Sequence, residues 1–448
     1  MFGCSIGRLF QVAIAGGSYQ EGMTTHLQGV PAGLRFTEEE IYSELLLRKP
    51  GQGELASPRK EPDVPILYSG FNVADTMEGV KSKDLTNGTP LVILIPNLDR
   101  QFVHIEQYRT TNRTPRPGHA SYASFHKYGI YDDAIGAGIF SGRYTCTIVA
   151  AGTVAKRVLA EHGIQVTGYV KEAAGIRCPE VPLEEIRRQA AAYRQIRKEH
   201  DPVYAALFAS GKYSFEMRFL EKCAVLAQFW DLLEKAPQKT LNVEKVQKEH
   251  GVHPLLLCPH LETANAMVEK ILAIKDEGDS TGGLVEVIAT GLPAGVGEPV
   301  FGKLDGELGR MMSIGGVKAV ELGMGLAVKD ATGSAANDQM FAEAGKVKFA
   351  SNHAGGITGG LTTGQDLIIR LAVKPTPTIG KPQRTIDKLT NENAQLAAVT
   401  RRDPTLVARI WPVAEAFTAI VLLDNYMQYV AQQHFLDRPE HPKYAGRV

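Results

Sequence analysis

Apolar positions along this chain fall into two patterns, short unbroken runs that predict strands and longer spaced runs that predict helices. Leu367–Val373 and Leu91–Pro96 have the length and the branched side chains of buried strands. Residues 38–47 are amphipathic with acidic residues first, which is typical of the start of a helix. Two longer spaced runs, residues 145–162 and 413–435, predict further helices.

Other strands are predicted on both sides of the middle of the chain. Residues 8–34 predict two strands joined by a glycine-rich loop at 16–20, and residues 284–290 predict another strand. The sequence shows no internal repeat. Strands mixed with helices argue for an α/β or an α+β fold, and the hydrophobic period alone does not choose between them.

The middle of the chain, residues 177–256, is rich in Lys, Arg, Glu and Ala. A helix is predicted at 183–198, and a second predicted helix carries an apolar stripe at steps of four and three, formed by Phe219, Cys223, Leu226, Trp230 and Leu233. We interpret 177–256 as a helical insertion into one domain, 1–176 and 257–436, with a flexible tail at 437–448. The functional alternative, a nucleic-acid arm, would need clustered basic charge that this segment lacks.

Composition excludes several classes of protein. The 448 residues include 49 basic and 49 acidic side chains, so no net charge draws the chain to nucleic acid or to a membrane surface. No stretch has the apolar length of a membrane span, and Arg8 within the apolar N-terminal run is unlike a secretion signal. Five scattered cysteines are typical of reduced thiols. We therefore expect a cytoplasmic protein.

A candidate ligand site surrounds the predicted strand Leu367–Val373. Two glycine pairs, Gly355–Gly356 and Gly359–Gly360, precede it, and glycine lets a backbone approach a flat ligand or a phosphate closely. A turn before a core strand is the simpler explanation of the glycines alone. The strand ends, however, in KPTPT at 374–378, where a lysine charge and threonine hydroxyls favour a phosphate cradle. The spacing matches neither GxGxxG nor a Walker loop.

A second polar stretch lies at 113–131 and is predicted to be a loop. It is crowded with basic side chains, namely Arg113, Arg116, His119, His126 and Lys127. A glycine-bearing loop follows at 136–143.

Several strings are specific enough to indicate a family. They are SIGRLFQV at 5–12, RPGHASYASFHKYG at 116–129, EGDSTGG at 277–283, GEPVFGKLDGELGRMMSI at 297–314, SNHAGG at 351–356, KPTPT at 374–378 and RRDP at 401–404. In this order they resemble the chorismate synthases. The resemblance covers nearly all of 5–176 and 257–435.

The resemblance implies an α+β fold in which antiparallel sheets surround a helical layer, and a homotetramer. It also implies a site where reduced FMN stacks on a small cyclic carboxylate, which in the family is enolpyruvylshikimate phosphate. Family members expel phosphate and remove a ring proton, so the reaction is redox-neutral although it needs reduced flavin. A separate, unidentified reductant would supply that flavin, and neither nucleic acid nor a membrane is an expected partner.

The cofactor side of the family's site carries over residue by residue. His119 matches a histidine that protonates or stabilises reduced flavin, and Asp403 matches the carboxylate beside flavin N5 that assists proton removal. Gly315 and Gly316 stand where the family commonly has Asn-Ala. The predicted cofactor-binding residues are Ser141, Gly315, Gly316, Gly359, Lys374, Pro375, Thr376, Pro377, Thr378 and Arg401.

The substrate side departs from the family's pattern. The predicted substrate-binding residues are Arg48, Arg116, Arg143 and Arg402. The family's GESHG loop reads GGSYQ here, so the third predicted catalytic position is Tyr19, whose phenol, with a reference pKa of about 10, is a poor substitute for imidazole. Further replacements are Glu54 and Ile139 for arginines, Phe140 for a serine, Tyr144 for a glutamate and Arg402 for a histidine. Together they remove groups that would meet a phosphorylated, doubly carboxylated ligand.

Three hypotheses follow from this comparison. The leading one is an FMN-dependent enzyme with redox-neutral lyase chemistry, whose altered pocket accepts a less anionic ring substrate. The second is a genuine but divergent chorismate synthase, in which Arg402, Arg116 or the helical insertion restores the lost contacts. The third is a non-catalytic paralogue that binds flavin or only assembles with another subunit.

Overall fold

Two antiparallel sheets lie on either side of a layer of helices in the computed structural model. The structure describes residues 3–51, 53–57, 59, 61–99, 102–235, 241–398 and 402–436. Over these residues the architecture is α+β, as the resemblance predicts.

The first sheet has the strand order β1-β2-β3-β5-β4. Its strands are Ser5–Ile6 (β1), Gln11–Gly16 (β2), Gly22–Gln28 (β3), Ile66–Ser69 (β4) and Leu91–Pro96 (β5). Neighbours pair antiparallel, and Thr25 at the centre of β3 lies opposite Ile14 on one side and Ile93 on the other. Alternate residues of β5 are buried, which gives the sheet one face in the core.

The second sheet has the order β7-β6-β8-β14-β9 and is also antiparallel. Its strands are Gln165–Ala173 (β6), Ile176–Arg177 (β7), Gly283–Thr290 (β8), Val317–Leu322 (β9) and Leu367–Val373 (β14). The predicted strand Leu367–Val373 is confirmed at both ends. Its alternate residues Leu367, Ile369 and Leu371 are fully buried, and its last residue leads directly into the KPTPT segment.

Three two-stranded hairpins complete the strands of the described chain. They are Met340–Glu343 (β10) with Lys346–Phe349 (β11), Ile357–Thr358 (β12) with Leu361–Thr362 (β13), and Gln383–Ile386 (β15) with Asn393–Leu396 (β16). The β10–β11 hairpin exposes the apolar side chains of Met340, Phe341 and Val347.

Helices α1, α4 and α11 form the layer between the sheets. The α-helices are Glu38–Arg48 (α1), Phe102–Thr111 (α2), Ser121–Tyr128 (α3), Thr145–Glu161 (α4), Leu183–Glu199 (α5), Phe219–Lys235 (α6), Val243–His250 (α7), Leu261–Asp276 (α8), Leu304–Gly309 (α9), Gly333–Ala336 (α10) and Val407–Leu436 (α11). Helix α4 packs on β3 of the first sheet and on α11, and α11 packs on β6 and β8 of the second sheet. A Cβ atom at Gly152 of α4 would lie 2.3 Å from the Cβ of Ala416 on α11, so this crossing requires glycine.

Helix α11 also binds the beginning of the chain. One carboxylate oxygen of Asp424, Oδ1, accepts hydrogen bonds from the main-chain N–H groups of Arg8, Leu9 and Phe10 at 2.8, 2.7 and 2.9 Å. These three donors lie in the turn between β1 and β2 and have no strand partners there. Asp424 is only 5 % exposed, so the contact closes one end of the core.

Residues 177–256 form helices, as predicted, and pack on the rest of the chain. Ile186, Ala190 and Tyr193 of α5 belong to the main core, and a smaller core joins this segment to Tyr42 and Ile66. The division into an insertion and a surrounding domain stays a prediction.

The predicted stripe of α6 is partly wrong. Leu226 is buried and Trp230 is half-buried, but Phe219 is 40 % exposed, and the side chain of Leu233 lies outside the described residues. Lys222 and Phe229 are buried instead. The physical reason is a buried ion pair, because Lys222 Nζ binds Glu38 Oε1 of α1 and turns that face of α6 inward.

Two other boundaries differ from the sequence predictions. Helix α11 begins at Val407 rather than at 413, and it contains Pro412 in its second turn, where a proline usually marks the start of a helix or a break in it. The polar stretch predicted as a loop contains α3, eight residues long. The predicted tail, 437–448, lies outside the described residues. In the described part of the chain, no helix is both long and apolar enough to cross a membrane.

Candidate active site

Several of the predicted site residues lie in two groups of charged side chains. The first, the arginine cluster, consists of Arg48, Arg143, Glu61 and Asp63. The second, the cationic recess, consists of Arg116, His119, Lys374 and Lys318. The loop that holds Tyr19 borders the first group, and the KPTPT segment borders the second.

The arginine cluster is built around the buried carboxylate of Asp63. Asp63 Oδ2 accepts from Arg48 NH1 at 2.8 Å, and its Oδ1 accepts from Arg143 NH1. Glu61 Oε2 lies 3.7 Å from Arg143 NH2. All four side chains are less than 5 % exposed. Because burial of an unpaired charge is costly, the two predicted substrate-binding arginines are held as compensated pairs.

Arg143 also fixes the loop at 16–20. Its Nε donates to Asn97 Oδ1 at 2.8 Å, and Asn97 Nδ2 donates to the carbonyls of Gly17 and Gln20, each at 2.8 Å. The side-chain amide of Asn97 thus links the turn that holds Tyr19 to Arg143 of the arginine cluster. Sequence reasoning missed Asn97 because an asparagine after a strand usually marks only a turn.

Tyr19 is buried beside this cluster, with 9 % of its surface exposed. Its ring meets the edge of Tyr108 at 5.5 Å, and the Arg59 guanidinium lies 5.5 Å from its centroid. Burial raises the pKa of Tyr19 to about 12, although Arg59 opposes the shift. The phenol therefore stays neutral near pH 7. Gly136, at φ +59°, is required here because a Cβ would lie 2.4 Å from the Tyr19 ring.

Three polar atoms of the arginine cluster and of the loop at 16–20 are buried without a hydrogen-bond partner among the described residues. They are Ser18 Oγ, Arg48 Nε and Glu61 Oε2. An unsatisfied buried donor or acceptor costs about 1–3 kcal/mol, so native structures keep few of them. The set contains an acceptor, a donor and a hydroxyl, which fits a bound ligand that carries polar groups of both kinds.

The cationic recess lies where the 116–119 loop meets the KPTPT segment. Lys374 Nζ donates to the carbonyl of Gly118, and Arg116 NH1 donates to Thr378 Oγ1 at 3.3 Å. His119 Nε2 lies 3.4 Å from Arg116 NH2, and its Nδ1 accepts from Ser121 N at 3.2 Å. The structure thus brings together one predicted catalytic residue, one predicted substrate-binding arginine and two predicted cofactor-binding residues.

The positive charges of the recess have no ion-pair partner among the described residues. Burial, and after it the charges of Arg116 and Lys374, lower the pKa of His119 to about 4, so its imidazole is neutral near pH 7. Burial, and then Lys318, lowers the pKa of Lys374. No described carboxylate forms an ion pair with Arg116, Lys374 or Lys318. Three cations beside one neutral histidine fit an anionic group such as a phosphate.

Asp403 joins the two groups. Its Oδ1 accepts from Ser57 N and from Arg409 NH1, both at 2.8 Å, and its main-chain carbonyl accepts from Thr376 Oγ1 at 2.7 Å. Arg409 Nε also donates to the carbonyl of Arg48 at 2.8 Å. Both side-chain contacts fall on Oδ1, which leaves Oδ2 as the oxygen that can take up a proton.

Other predicted positions have different surroundings. Arg402 donates to the carbonyl of Lys275 at 2.7 Å, and the structure does not bring it to the arginine cluster. Ser141 Oγ accepts from Arg143 N at 3.3 Å. Gly359 lies in the turn between β12 and β13 at φ +65°, in open space. Arg401 lies outside the described residues.

Tyr144 supports a loop and does not contribute its hydroxyl to the pocket. Its OH accepts from Gly315 N at 2.7 Å and donates to the carbonyl of Ser313 at 3.0 Å. Gly316, at φ +97°, accepts through its carbonyl from Lys374 N at 2.9 Å. Tyr144 and the glycines together fix the start of the KPTPT segment.

Sequence reasoning missed Arg59, Glu61, Asp63 and Arg409. The first three lie in PRKEPD at 58–63, a charged run that is more often a solvated surface. Arg409 lies six residues after Asp403 on α11, and only the fold shows that it faces the site.

The fold and the site define a class of protein, an α+β sandwich that holds an uncompensated cationic recess beside a compensated arginine cluster. The model of the family "Chorismate synthase" matches residues 10–427. The chain belongs to the chorismate synthase family, and the predicted resemblance is confirmed.

Curated relatives named chorismate synthase match almost the whole chain. One from Acetivibrio thermocellus is 37% identical over 441 residues, 95% of this chain and 94% of the relative. One from Methanosarcina acetivorans is 37% identical over 429 residues, 96% and 97% of the two chains. A solved structure titled "Crystal Structure of Chorismate Synthase" aligns with a TM-score of 0.61 at 23% identity, over 96% of this chain and 98% of that one, and supports the fold.

Proposed function

We propose that this protein is an FMN-dependent carbon–oxygen lyase of the chorismate synthase family that acts on a ring carboxylate with fewer negative charges than enolpyruvylshikimate phosphate. The observation that supports it is the contrast between the two charged groups of the site. The cationic recess has no described counter-charge, whereas the arginine cluster is already neutral.

The residues of the recess fit the anionic part of FMN. Arg116, Lys374 and Lys318 supply positive charge, and the Thr378 hydroxyl supplies a donor. These residues would hold the cofactor through charge and hydroxyl contacts. When bound and reduced, FMN supplies electron density to the departing group and recovers it, so the overall reaction is redox-neutral.

The chain's own residues would bind the substrate and move protons. Asp403 Oδ2 takes the ring proton, while Ser57 and Arg409 hold its Oδ1 in place. Neutral His119 accepts from one of two donors, Ser121 N at Nδ1 or Arg116 NH2 at Nε2, and its other ring nitrogen carries the hydrogen. Tyr19 acts as a neutral wall and hydrogen-bond donor, since its raised pKa keeps the phenol protonated.

The charge of the arginine cluster supports a less anionic substrate. Arg48 and Arg143 contribute two positive charges, and Glu61 and Asp63 contribute two negative charges, so the four residues sum to zero. Arg59, whose NH2 pairs with Glu61 Oε1 at 3.1 Å, adds one further positive charge beside them. Additional attraction for a phosphate and two carboxylates would have to come from positions that here hold Glu54, Ile139 and Tyr19. An exposed glutamate, an apolar side chain and a neutral phenol provide none of it.

Three observations favour a second candidate, chorismate formation itself. The Nε of Arg48, which has no partner among the described residues, offers a donor to an anion. The Arg59 side chain pairs with Glu61 at 3.1 Å but is 23 % exposed, so an anion can still reach it. The relatives named chorismate synthase also cover almost the whole chain.

The test separates these candidates with one preparation. FMN binding is measured by flavin titration, and turnover of enolpyruvylshikimate phosphate and of dephosphorylated and singly carboxylated analogues is assayed with reduced FMN. We expect flavin binding and turnover of a less anionic analogue. Rapid turnover of enolpyruvylshikimate phosphate would establish the second candidate. Flavin binding without turnover of any compound would indicate a non-catalytic paralogue.

We also propose a homotetramer, supported by the β10–β11 hairpin. A two-stranded hairpin is only marginally stable by itself, and this one exposes Met340 and Phe341 at 68 % and 51 %. Contact with another copy would cover them. Light scattering should give four times the 48.7 kDa chain mass, and a monomer would contradict the proposal.

A further inference from the structure

Residues 177–256 bind α1 along its whole length through charged and polar pairs. At the start of α1, Lys222 binds Glu38, and at the next residue Lys198 Nζ lies 2.9 Å from Glu39 Oε1. Near its centre, Arg194 Nε lies 3.2 Å from Glu44 Oε1. Residues 177–256 therefore contact α1, the helix that ends in Arg48 of the arginine cluster, at several points along its length.

The contact at the end of α1 forms a closed triangle. Asp201 binds Lys49 Nζ through Oδ2 and accepts from the Tyr42 hydroxyl through Oδ1 at 2.7 Å, and Lys49 Nζ donates to that hydroxyl at 2.9 Å. Lys49, Asp201 and Tyr42 are all less than 7 % exposed. Burial raises the pKa of Tyr42, so its hydroxyl stays protonated and directs its hydrogen toward Asp201.

Lys49 is the residue that follows Arg48 and caps α1, its N–H bonding the carbonyl of Leu45 at 3.2 Å. Arg48 is held on its other sides by Asp63 and by Arg409, which binds its carbonyl. The triangle thus holds the backbone at Arg48 from a third side. Arg48 Nε has no hydrogen-bond partner among the described residues.

The use of a buried ion pair between Asp201 and Lys49 indicates that this contact orients the end of α1 and does not merely hold the two surfaces together. Apolar side chains of the same size usually hold two surfaces together at least as well as a buried ion pair. A pair with two directed hydrogen bonds, in contrast, permits one relative placement of the helix end. Breaking such a pair leaves an uncompensated buried charge, which the structure relieves by local opening.

We propose that Asp201 is a positioning residue for Arg48, acting through Lys49 and Tyr42, so that residues 177–256 set the geometry of the arginine cluster. The proposal rests on the proposed function in one respect, because it assumes that Arg48 contacts the substrate. It gives these helices a role in the site although none of their side chains belongs to the arginine cluster or the cationic recess.

The test compares Asp201→Asn with Glu38→Gln. Both variants turn a buried carboxylate of the same interface into an amide, at opposite ends of α1. The first readout, by NMR, is the exchange rate of the Arg48 Nε hydrogen with solvent, which needs no substrate. The second is the affinity, with reduced FMN present, for whichever compound of the analogue series the wild type binds most tightly. Tyr42→Phe, which removes one hydroxyl, serves as a milder second variant.

We expect Asp201→Asn to speed the exchange and to weaken the ligand by about tenfold or more, the effect of about 1.4 kcal/mol. Tyr42→Phe should move both readouts in the same direction by less. Glu38→Gln should leave both within about twofold of the wild type, although urea unfolding should show that it too is destabilised.

Equal exchange rates in Asp201→Asn and Glu38→Gln, or no change in Asp201→Asn, would overturn the positioning role. If the wild type binds none of the compounds, the proposed function fails, and the exchange rates alone still decide the role of Asp201.

Discussion

Replacing Lys374 tests the cationic recess directly. Lys374→Ala removes the amine that now donates to the carbonyl of Gly118, beside Arg116 and His119. A phosphate about 4 Å from this amine would be attracted by about 4 kcal/mol at an effective dielectric constant of about 20. The side chain is only partly buried, so screening and desolvation reduce this gain, and charged hydrogen bonds net about 1.5–3 kcal/mol.

We therefore expect Lys374→Ala to weaken FMN binding by about tenfold, which corresponds to about 1.4 kcal/mol. The assay is a flavin titration at several salt concentrations, since a lost charge contact also reduces the dependence of affinity on salt. Lys81→Ala, at an exposed lysine outside both charged groups and outside the β10–β11 hairpin, is the matched control and should bind FMN like the wild type. A Lys374→Ala titration that superimposes on the wild type at every salt concentration would refute the assignment of the recess to the cofactor.

Three further predictions concern stability and are measured by urea unfolding. Burial lowers the pKa of His253 to about 4, below the value of about 6.5 in an unfolded chain, so protons favour the unfolded state between these values. The free energy of unfolding should therefore fall from pH 7 to pH 4.5, and it should fall less in His253→Asn. An equal fall in the two proteins would contradict this. Gly136→Ala should cost about 1–3 kcal/mol because of its positive φ and its contact with Tyr19, and an unchanged midpoint would show that the ring moves freely. Asp63→Asn should cost about 3–5 kcal/mol because it leaves two buried guanidinium groups facing an amide, and a loss below 1 kcal/mol would mean that water reaches them.

The sequence was most informative where one local signal determined the outcome. The strand Leu367–Val373 was predicted from a run of apolar residues, and the structure places it between β8 and β9 with the same bounds. Helix α1 was predicted from its acidic first turn, and the capping pair of Thr37 and Glu40 explains its start. The strings at 116–129 and 374–378 also indicated two segments that meet in the recess.

Long-range pairings could not be predicted from any local pattern. Asp63 belongs to a charged run that resembles solvated surface, and only the fold brings Arg143, 80 positions away, to its carboxylate. Lys222 interrupts the apolar stripe of α6 and would be placed in solvent, yet Glu38 lies buried opposite it. Such residues are positioned by partners whose identity emerges only when the chain is folded.

The contact of Asp424 with Arg8, Leu9 and Phe10 bears on the order in which the protein can form during synthesis. The acceptor lies 414 to 416 positions after its donors, so the ribosome has made almost the whole chain before these three amides find their partner. Until then the turn between β1 and β2 has no anchor, and contacts of such sequence separation form slowly. The first sheet to emerge from the ribosome is therefore among the last to be completed, and a nascent chain stalled before residue 424 would present that edge to chaperones.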